Sequence, residues 1–522
     1  MKHISDHGSI ANGVLYASLS ALTLVCLRKC WGTMGQIKKK HPPSPQSFPV
    51  VGNLFSIPLE MEHIAYTKLG KLLNTDIVFL RLFGYNFIVI NSSQVATDLL
   101  DKRSALYSDR LCPPMVGDPT LMDWGRNPVL TGYNDVWRQY RRMMNNWLNA
   151  RAVTQFHHIQ EQQIQGLLRR LLLVQGDPEP FEKVKRALFY NAASSMLKLA
   201  YGYTLEGDND PIFEDIQHTN DHVVIAGMFT NFLVNIFPSL SRVPDWFPGT
   251  GWKRTAREWG AQKDRSQSIP YEWTKSQMAS GTAETSILSA LLQNQSLTSD
   301  LSEAERERHL KEVAGIIVAA GTDTSSTVLV NFVAAMVSNP HVQAKAQKEL
   351  DDVLGPLSLP TMADRGRLPY IQNLIQEVLR WQPVTPTGIP HTCWNDDNYK
   401  GYQIEKGTVV IGNLWAMTRD EKIYKNPETF DPDRFQDPNL PYSPAFGWGR
   451  RKCPGIHFAE ASLFIIASSL LATFTFSKKK DATGKTIEPQ IEGVSNAIVL
   501  ELKPFDFELH LRSADHRRLI LE

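Results

Sequence analysis

One cysteine sits in the run FGWGRRKCPG, Phe446 to Gly455, among glycines and bases. A sulfur that is to act as a ligand must be able to hold negative charge, which nearby cations and helix N-termini favour. Arg450, Arg451 and Lys452 precede Cys453, and Pro454 reads as the first-turn residue of the apolar helix GIHFAEASLFIIASSLLATF. Gly447, Gly449 and Gly455 let the backbone turn sharply and bring N–H groups close to the sulfur. This describes an anionic sulfur ligand to a metal, open on its far side. Zinc would want further Cys or His ligands at short spacing, and the segment has none. A single thiolate suits a haem iron, because the porphyrin supplies four ligands. The plain alternative is a buried free cysteine in a loop.

Two other clusters could carry chemistry. AGTDTS, Ala320 to Ser325, lies inside a long helical pattern, where Gly321 costs roughly 1 kcal/mol relative to alanine. A helix would avoid that cost unless something approaches its backbone. Asp323 and Thr324 follow, a carboxylate that can relay protons and a hydroxyl that can hydrogen-bond dioxygen or water. Taken alone, the same residues equally describe a packing glycine and polar groups turned to solvent or to the i−4 carbonyl. EVLR places Glu377 and Arg380 at i and i+3 on one helix face. By itself such a pair is common and contributes little.

Together these motifs resemble the cytochrome P-450 superfamily. Phe446, Gly449, Arg451, Cys453 and Gly455 fill every defined position of FxxGxRxCxG, the family's haem-binding signature. The resemblance runs from a proline-rich hinge through NLWAMTRD to the C-terminus. It implies haem b with Cys453 as axial iron ligand and Phe446 and Gly321 beside the cofactor. It makes Asp323 and Thr324 the acid and alcohol of the oxygen-activating helix. Glu377 and Arg380 become a buried structural network, with Arg434 of FDPDRF as the third member. Trp137 and Arg141 of WRQYR lie one helical turn apart and match the family's WxxxR. With His391 of GIPHT and Arg451, they are the implied partners of the haem carboxylates.

The elements that must position these residues are readable in outline. DIVFLRLFGYNFIVINS alternates around Gly84 as a hairpin does. From about 94 to 355 helical periodicity dominates. Ser302 and Glu305 form a possible capping box for the longest helix, and Pro340 after Asn339 stops it. A following helix ends at Gly355, and another starts at Pro369 and runs to about Trp381. YKGYQIEKGTVVIGN and NAIVLELKPFDFELHL read as strands and turns, so the body is helix-rich first and strand-rich late.

Bulk properties agree with a large packed body. The chain has 522 residues, 42% apolar, and a net charge of +1, which gives no electrostatic case for nucleic acid. Five scattered cysteines do not make a disulfide framework. Length alone suggests about three domains, but motifs from Trp137 to Gly455 converging on one cofactor replace that with one. The fold class implied is mainly α with a smaller β region, a single P-450-type domain over 50–522. Residues 9–27 are apolar and uncharged, long enough for a transmembrane anchor, with Arg28, Lys29 and Lys38 to Lys40 after them. Residues 1–8 are then lumenal and 28–49 a basic, proline-rich hinge. A cleaved signal peptide is disfavoured, because it wants its charges before the apolar run.

The resemblance further implies a monooxygenase of the endoplasmic reticulum membrane, single-pass and facing the cytosol. It would use dioxygen and NADPH-derived electrons from a partner reductase to oxidise a lipophilic small molecule. Five stretches should line the pocket: DRLCPPMVGDPTLMDWGRNPV, VVIAGMFTNFLVNIF, the face from Val313 to Ala320, PVTPTG and EGVSNAI. NFLVNIFPSL and DWFPG could also meet the membrane surface. The look is of fungal secondary metabolism, a terpenoid substrate ranking slightly ahead of an aromatic or polyketide one. The competing readings are a haem-thiolate isomerase or dehydratase that uses no dioxygen, and a non-catalytic haem- or lipid-binding membrane protein.

Overall fold

The computed structural model describes residues 40–57, 61–229, 231–494 and 498–522. The expected anchor over 9–27 and most of the hinge lie outside the described residues. The longer helices are α1 Glu62–Leu72, α2 Asp135–Leu148, α3 His157–Leu172, α4 Phe181–Tyr201, α5 Pro211–Ala226 and α6 Gly251–Ser280. They continue with α7 Ile287–Gln293, α8 Glu303–Ser338, α9 Pro340–Leu354, α10 Pro369–Trp381, α11 Ile456–Thr473 and α12 Ala514–Leu521.

The centre of the body is α8. Its Ser302 side chain accepts from the Glu305 N–H, and the Glu305 side chain closes the capping box. Asn339 and Pro340 end it, and α9 starts on that proline. At 1.5 Å per residue α8 is about 54 Å long, enough to cross the whole domain. A helix with apolar residues all round must be wrapped. Toward its C-terminus, Leu329, Phe332, Val333 and Met336 pack with Leu188 of α4, Leu374 and Val378 of α10, and Phe464 and Leu470 of α11. Toward its N-terminus, Val313, Ala314 and Ile317 pack with Tyr140 and Met143 of α2, Leu197 of α4 and Phe458 of α11. Helices α8 and α11 are long and apolar enough to cross a membrane, but both are core helices here.

The strands are short: β1 Ile77–Leu82, β2 Tyr85–Ile90, β3 His391–Thr392, β4 Asp397–Tyr399, β5 Tyr402–Ile404, β6 Val409–Gly412, β7 Phe474–Ser477 and β8 Glu508–Leu511. β1 and β2 are the expected hairpin; Leu82 faces Tyr85, and the two turn residues, Phe83 and Gly84, both have positive φ, 47° and 95°. The main sheet runs β1-β2-β6-β3, so β2 pairs in parallel with a strand over 300 positions later. β3, and with it His391, pairs antiparallel with the far side of β6, His391 opposite Val410.

Two expectations need correction. The tail is not strand-rich: of the described residues in NAIVLELKPFDFELHL, only Glu508–Leu511 form a strand, paired with β7, apart from an isolated bridge at Leu502. Before it, Leu500 N–H is taken by Val384 O at 2.7 Å and Lys503 N–H by Glu492 O at 2.8 Å, so backbone donors go to loops rather than a ladder. And α11 starts at Ile456 with Gly455 as its N-cap, so Pro454 lies in the turn before the helix and is not its first residue.

Candidate active site

Cys453 follows a single helical turn, Gly449–Arg451, and its N–H donates to Phe446 O at 2.9 Å, closing the loop on itself. Gly449 has φ +53°, its N–H donates to Asp101 Oδ1 at 2.6 Å, and a Cβ there would run into the Leu100 carbonyl. Only glycine fits this corner. The three bases before the cysteine do not act as expected. Lys452 is exposed. Arg450 reaches the Tyr133 hydroxyl. Arg451 donates from Nε to Ser108 O at 2.7 Å and from Nη2 to Thr131 O at 2.8 Å. The cation whose charge acts on the sulfur is Arg141. Burial still dominates and pushes the Cys453 thiol up, against the Gly455 N–H and Arg141, which favour the thiolate.

Above this loop is a cluster of like charges. Trp137 is buried near the start of α2, whose N-terminus Asn134 caps through Oδ1 on the Trp137 N–H at 2.9 Å. The Arg451 guanidinium lies 4.5 Å from the Trp137 ring centroid and that of Arg141 5.8 Å. Burial lowers Arg451 to about 10, with Asp109 opposing and Arg141 lowering it further. Arg110, absent from the sequence-based site, joins them. Its Nη1 donates to Ile389 O at 2.6 Å and Pro390 O at 2.5 Å, while its Nε is buried with no partner among the described residues. His391 gives its Nδ1 proton to Tyr107 O at 2.6 Å, and burial with the charges of Arg110 and Arg451 holds the imidazole well below its ordinary range. A carboxylate approaching Nε2 would therefore need a proton placed on that nitrogen.

The donor set can be tested against a haem. The described residues contain no group of three or more His, Cys, Asp or Glu able to hold an ion, so a metal on Cys453 must bring its other ligands with it. Arg141 has no hydrogen-bond acceptor or carboxylate among the described residues, only the Trp137 ring and the Cys453 sulfur's field. A half-buried cation without a counter-charge calls for an anion, and a group carrying two carboxylates supplies it. The residues fit.

On α8, Thr324 Oγ1 donates to the Ala320 carbonyl at 2.7 Å. Asp323 is pushed up to about 7 by burial and by the negative charges of Glu501 and Asp221, with Lys185 opposing. Lys185 of α4 is held 2.5 Å from Glu501. A Cβ at Gly321 would collide with the Met196 side chain of α4, so the glycine admits the α4–α8 contact.

Beneath lies a closed polar network. Arg380 donates to both oxygens of Glu377, from Nε at 2.7 Å and Nη2 at 2.8 Å, and from Nη1 to Thr418 O and Pro427 O. Arg434 Nε and the Asp431 N–H also donate to Glu377 Oε1, at 3.1 and 2.8 Å. Glu377 and Arg380 are 0% exposed.

The family is settled by comparison. The chain belongs to the cytochrome P450 family, whose model matches residues 42–508. It is 37% identical over 486 residues to cytochrome P450 monooxygenase 208 of Postia placenta, covering 92% of each chain. It is 35% identical to cytochrome P450 monooxygenase COX2 of Coprinopsis cinerea, covering 92% of this chain and 91% of that one. Against claR of Ampulloclitocybe clavipes it is also 35% identical, covering 92% and 88%. A zebra fish cytochrome P450 solved with abiraterone shares the fold, with a TM-score of 0.70 at 23% identity, over 86% of this chain and 100% of that one. The chain is thus a cytochrome P450 monooxygenase, and family membership implies haem as cofactor and dioxygen as co-substrate.

Proposed function

We propose that this monooxygenase is anchored in the endoplasmic reticulum membrane, takes NADPH-derived electrons from a partner reductase, and oxidises a lipophilic small molecule of secondary metabolism, a terpenoid ahead of an aromatic or polyketide scaffold. The observation that carries the site assignment is the Arg141 guanidinium, without an acceptor or carboxylate among the described residues, beside the Trp137 ring and within the field of the Cys453 sulfur.

In this reading Cys453 Sγ would hold the iron of a bound haem. Arg141, Arg451 and Arg110, with Trp137, would meet its carboxylates, His391 joining them once Nε2 takes a proton, and Phe446 closes the cysteine loop through its carbonyl. When bound, haem supplies the activation of dioxygen and the oxidation of a C–H bond. The chain's own residues manage protons and position. With its carboxyl at about 7, Asp323 is close to half-protonated at neutral pH, so it can both take up and release a proton. Thr324 spends its hydroxyl proton on Ala320 O, which leaves its oxygen lone pairs as acceptors; donation from Oγ1 requires that bond to open. Glu377, Arg380 and Arg434 fix the polypeptide under the site.

Membrane contact is supported by the segment between α5 and α6. Leu233, Trp246 (80% exposed) and Phe247 stand open to solvent. Phe237 meets Phe83 at the hairpin tip, at 4.8 Å between ring centroids. Exposed Phe48 and Phe55 near the start of the described chain add to the apolar surface. An exposed apolar rim of this kind suits a protein half-seated on a bilayer.

The test is product analysis in yeast microsomes with a co-expressed reductase and a panel of terpene, aromatic and polyketide substrates. Oxygenated product that needs both NADPH and dioxygen is expected. Product at full rate without them would establish the isomerase or dehydratase reading instead. The enzyme is expected in the microsomal pellet, and recovery in the carbonate-washed supernatant would remove the anchor.

A further inference from the structure

The loop that carries Cys453 holds two aromatic side chains, and they enter different cores. Phe446 packs against the helical cluster built from α8, α10 and α11. Trp448 is buried, and among residues 446 to 455 it alone belongs to the cluster on one face of the main sheet, with Ile88 and Ile90 of β2 and Val410 of β6. The signature FxxGxRxCxG leaves the position of Trp448 open, so the cofactor motif does not account for the indole.

Two glycines make room for that ring. A Cβ at Gly412, the last residue of β6, would lie 2.5 Å from Cη2 and 2.6 Å from Cζ3 of Trp448, so the indole rests on bare strand backbone. Gly388 has φ +59°, and a Cβ there would stand 3.6 Å from the same Cζ3. Both glycines lead to the residues proposed to meet the haem carboxylates. Gly388 is followed by Ile389 and Pro390, whose carbonyls accept from Arg110, and then by His391. Val410 of the same strand as Gly412 lies opposite His391 across the β3–β6 pairing. The polar ties of the cysteine loop run elsewhere, from the Gly449 N–H to Asp101 and from Arg451 to the Ser108 and Thr131 carbonyls. None of these partners lies in β3 or β6, so the tie to that sheet comes through the indole.

We propose that Trp448 is a positioning residue: its indole, set against Gly412 and Gly388, fixes the cysteine loop relative to the strand and turn that carry His391, so that the iron ligand and the carboxylate partners keep the separation a bound haem requires. The inference rests on Cys453 as the iron ligand. Trp448 acts through the loop backbone. The Cys453 N–H is held by the Phe446 carbonyl at 2.9 Å and the Lys452 N–H by the Gly449 carbonyl at 3.2 Å, so a shift at residue 448 is passed on to the sulfur. A rigid ring in a close-packed interior transmits such a displacement rather than absorbing it. With the ring gone, the loop can drift from the sheet, and the bond from sulfur to iron is the one that lengthens.

The experiment follows the reduced, carbon monoxide-treated holoenzyme and records the rate at which the thiolate-type Soret band is lost. Each variant is held the same interval below its own Tm, so that general loosening cancels. Trp448→Leu should speed the loss about tenfold or more, because truncation opens a cavity at the contact. Trp448→Phe keeps an aromatic plate on Gly412 and should stay within about threefold of wild type. Gly412→Ala attacks the same contact from the strand side and should also speed the loss about tenfold, because the ring must move. Combining it with Trp448→Leu should be no faster than Trp448→Leu alone, since methyl and ring no longer compete. Phe156→Leu, at another buried aromatic, is the control and should stay within about threefold of wild type. A Trp448→Leu enzyme no faster than that control, or a double variant in which the two effects multiply, overturns the positioning role alone. Should Trp448→Leu fail to fold, Gly412→Ala decides: a rate within about threefold of wild type overturns the role as well. A wild type with no thiolate-type band overturns the Cys453 assignment and this role with it.

Discussion

Glu377→Gln changes one atom in a place with no solvent. Oε1 accepts from Arg380 Nη2, Arg434 Nε and the Asp431 N–H, and Oε2 accepts from Arg380 Nε. Glutamine keeps one acceptor oxygen and puts an NH2 where the other was, facing a donor. Two guanidinium groups, 0% and 7% exposed, also lose their counter-charge. Removing one partner from a buried ion pair costs about 3–5 kcal/mol, against a whole-domain stability of about 5–15 kcal/mol. The opened population should rise roughly 10²- to 10⁴-fold. Limited proteolysis under conditions where cleavage follows the equilibrium population of the open form reads this directly. The exposed pair Lys345–Asp433, at 2.7 Å, is the control: Lys345→Met should move cleavage less than about fivefold. If Glu377→Gln also stays within fivefold of wild type, the network is not what holds the polypeptide beneath the site.

Other substitutions separate the roles assigned around it. Thr324→Ala should raise the ratio of NADPH consumed to product formed, because an acceptor that orders protons is gone; unchanged coupling would refute that role. Asp323→Asn tests the proton relay. Its folded pKa, about 7, is raised above the ordinary carboxyl value, so the protonated fraction is full well below 7 and falls as pH rises through it. A proton-dependent step should then slow about tenfold per unit above that pH in the wild type, and the asparagine enzyme should lose this inflection. A variant that retains it would refute the relay and assign the inflection to another group, such as Asp221, whose carboxyl burial also pushes up. Arg141→Leu should leave the fold intact and lower haem retention during gel filtration by about tenfold or more, and full retention would mean that its open guanidinium has no carboxylate to meet.

What was readable in the sequence is what is decided locally. The capping box at Ser302, the stop at Pro340, the Gly84 turn and the cysteine loop each depend on a few adjacent residues, and each forms as the spacing indicates. What was not readable depends on elements far apart in the chain. Gly321 looks the same in sequence whether a cofactor or Met196 approaches it. Arg110 sits in a stretch read only as pocket lining, and only the fold brings it beside Arg451 and His391. The charge of Arg451 beside Cys453 in sequence suggested an electrostatic partner for the sulfur, yet its donors are used by the Ser108 and Thr131 carbonyls and Arg141 takes the role. The value of Asp323 depends on Glu501 and Asp221, which no motif links to it.

The central claim is that Cys453 is the iron ligand. The direct measurement is the absorption spectrum of the reduced, carbon monoxide-treated protein, taken for wild type and for Cys453→Ser purified with haem. The wild type is expected to show the thiolate-type Soret band, and the serine variant to lose it while Cys112→Ser and Cys393→Ser keep it. A thiolate-type band that survives in Cys453→Ser, or is missing from the wild type, would contradict the account.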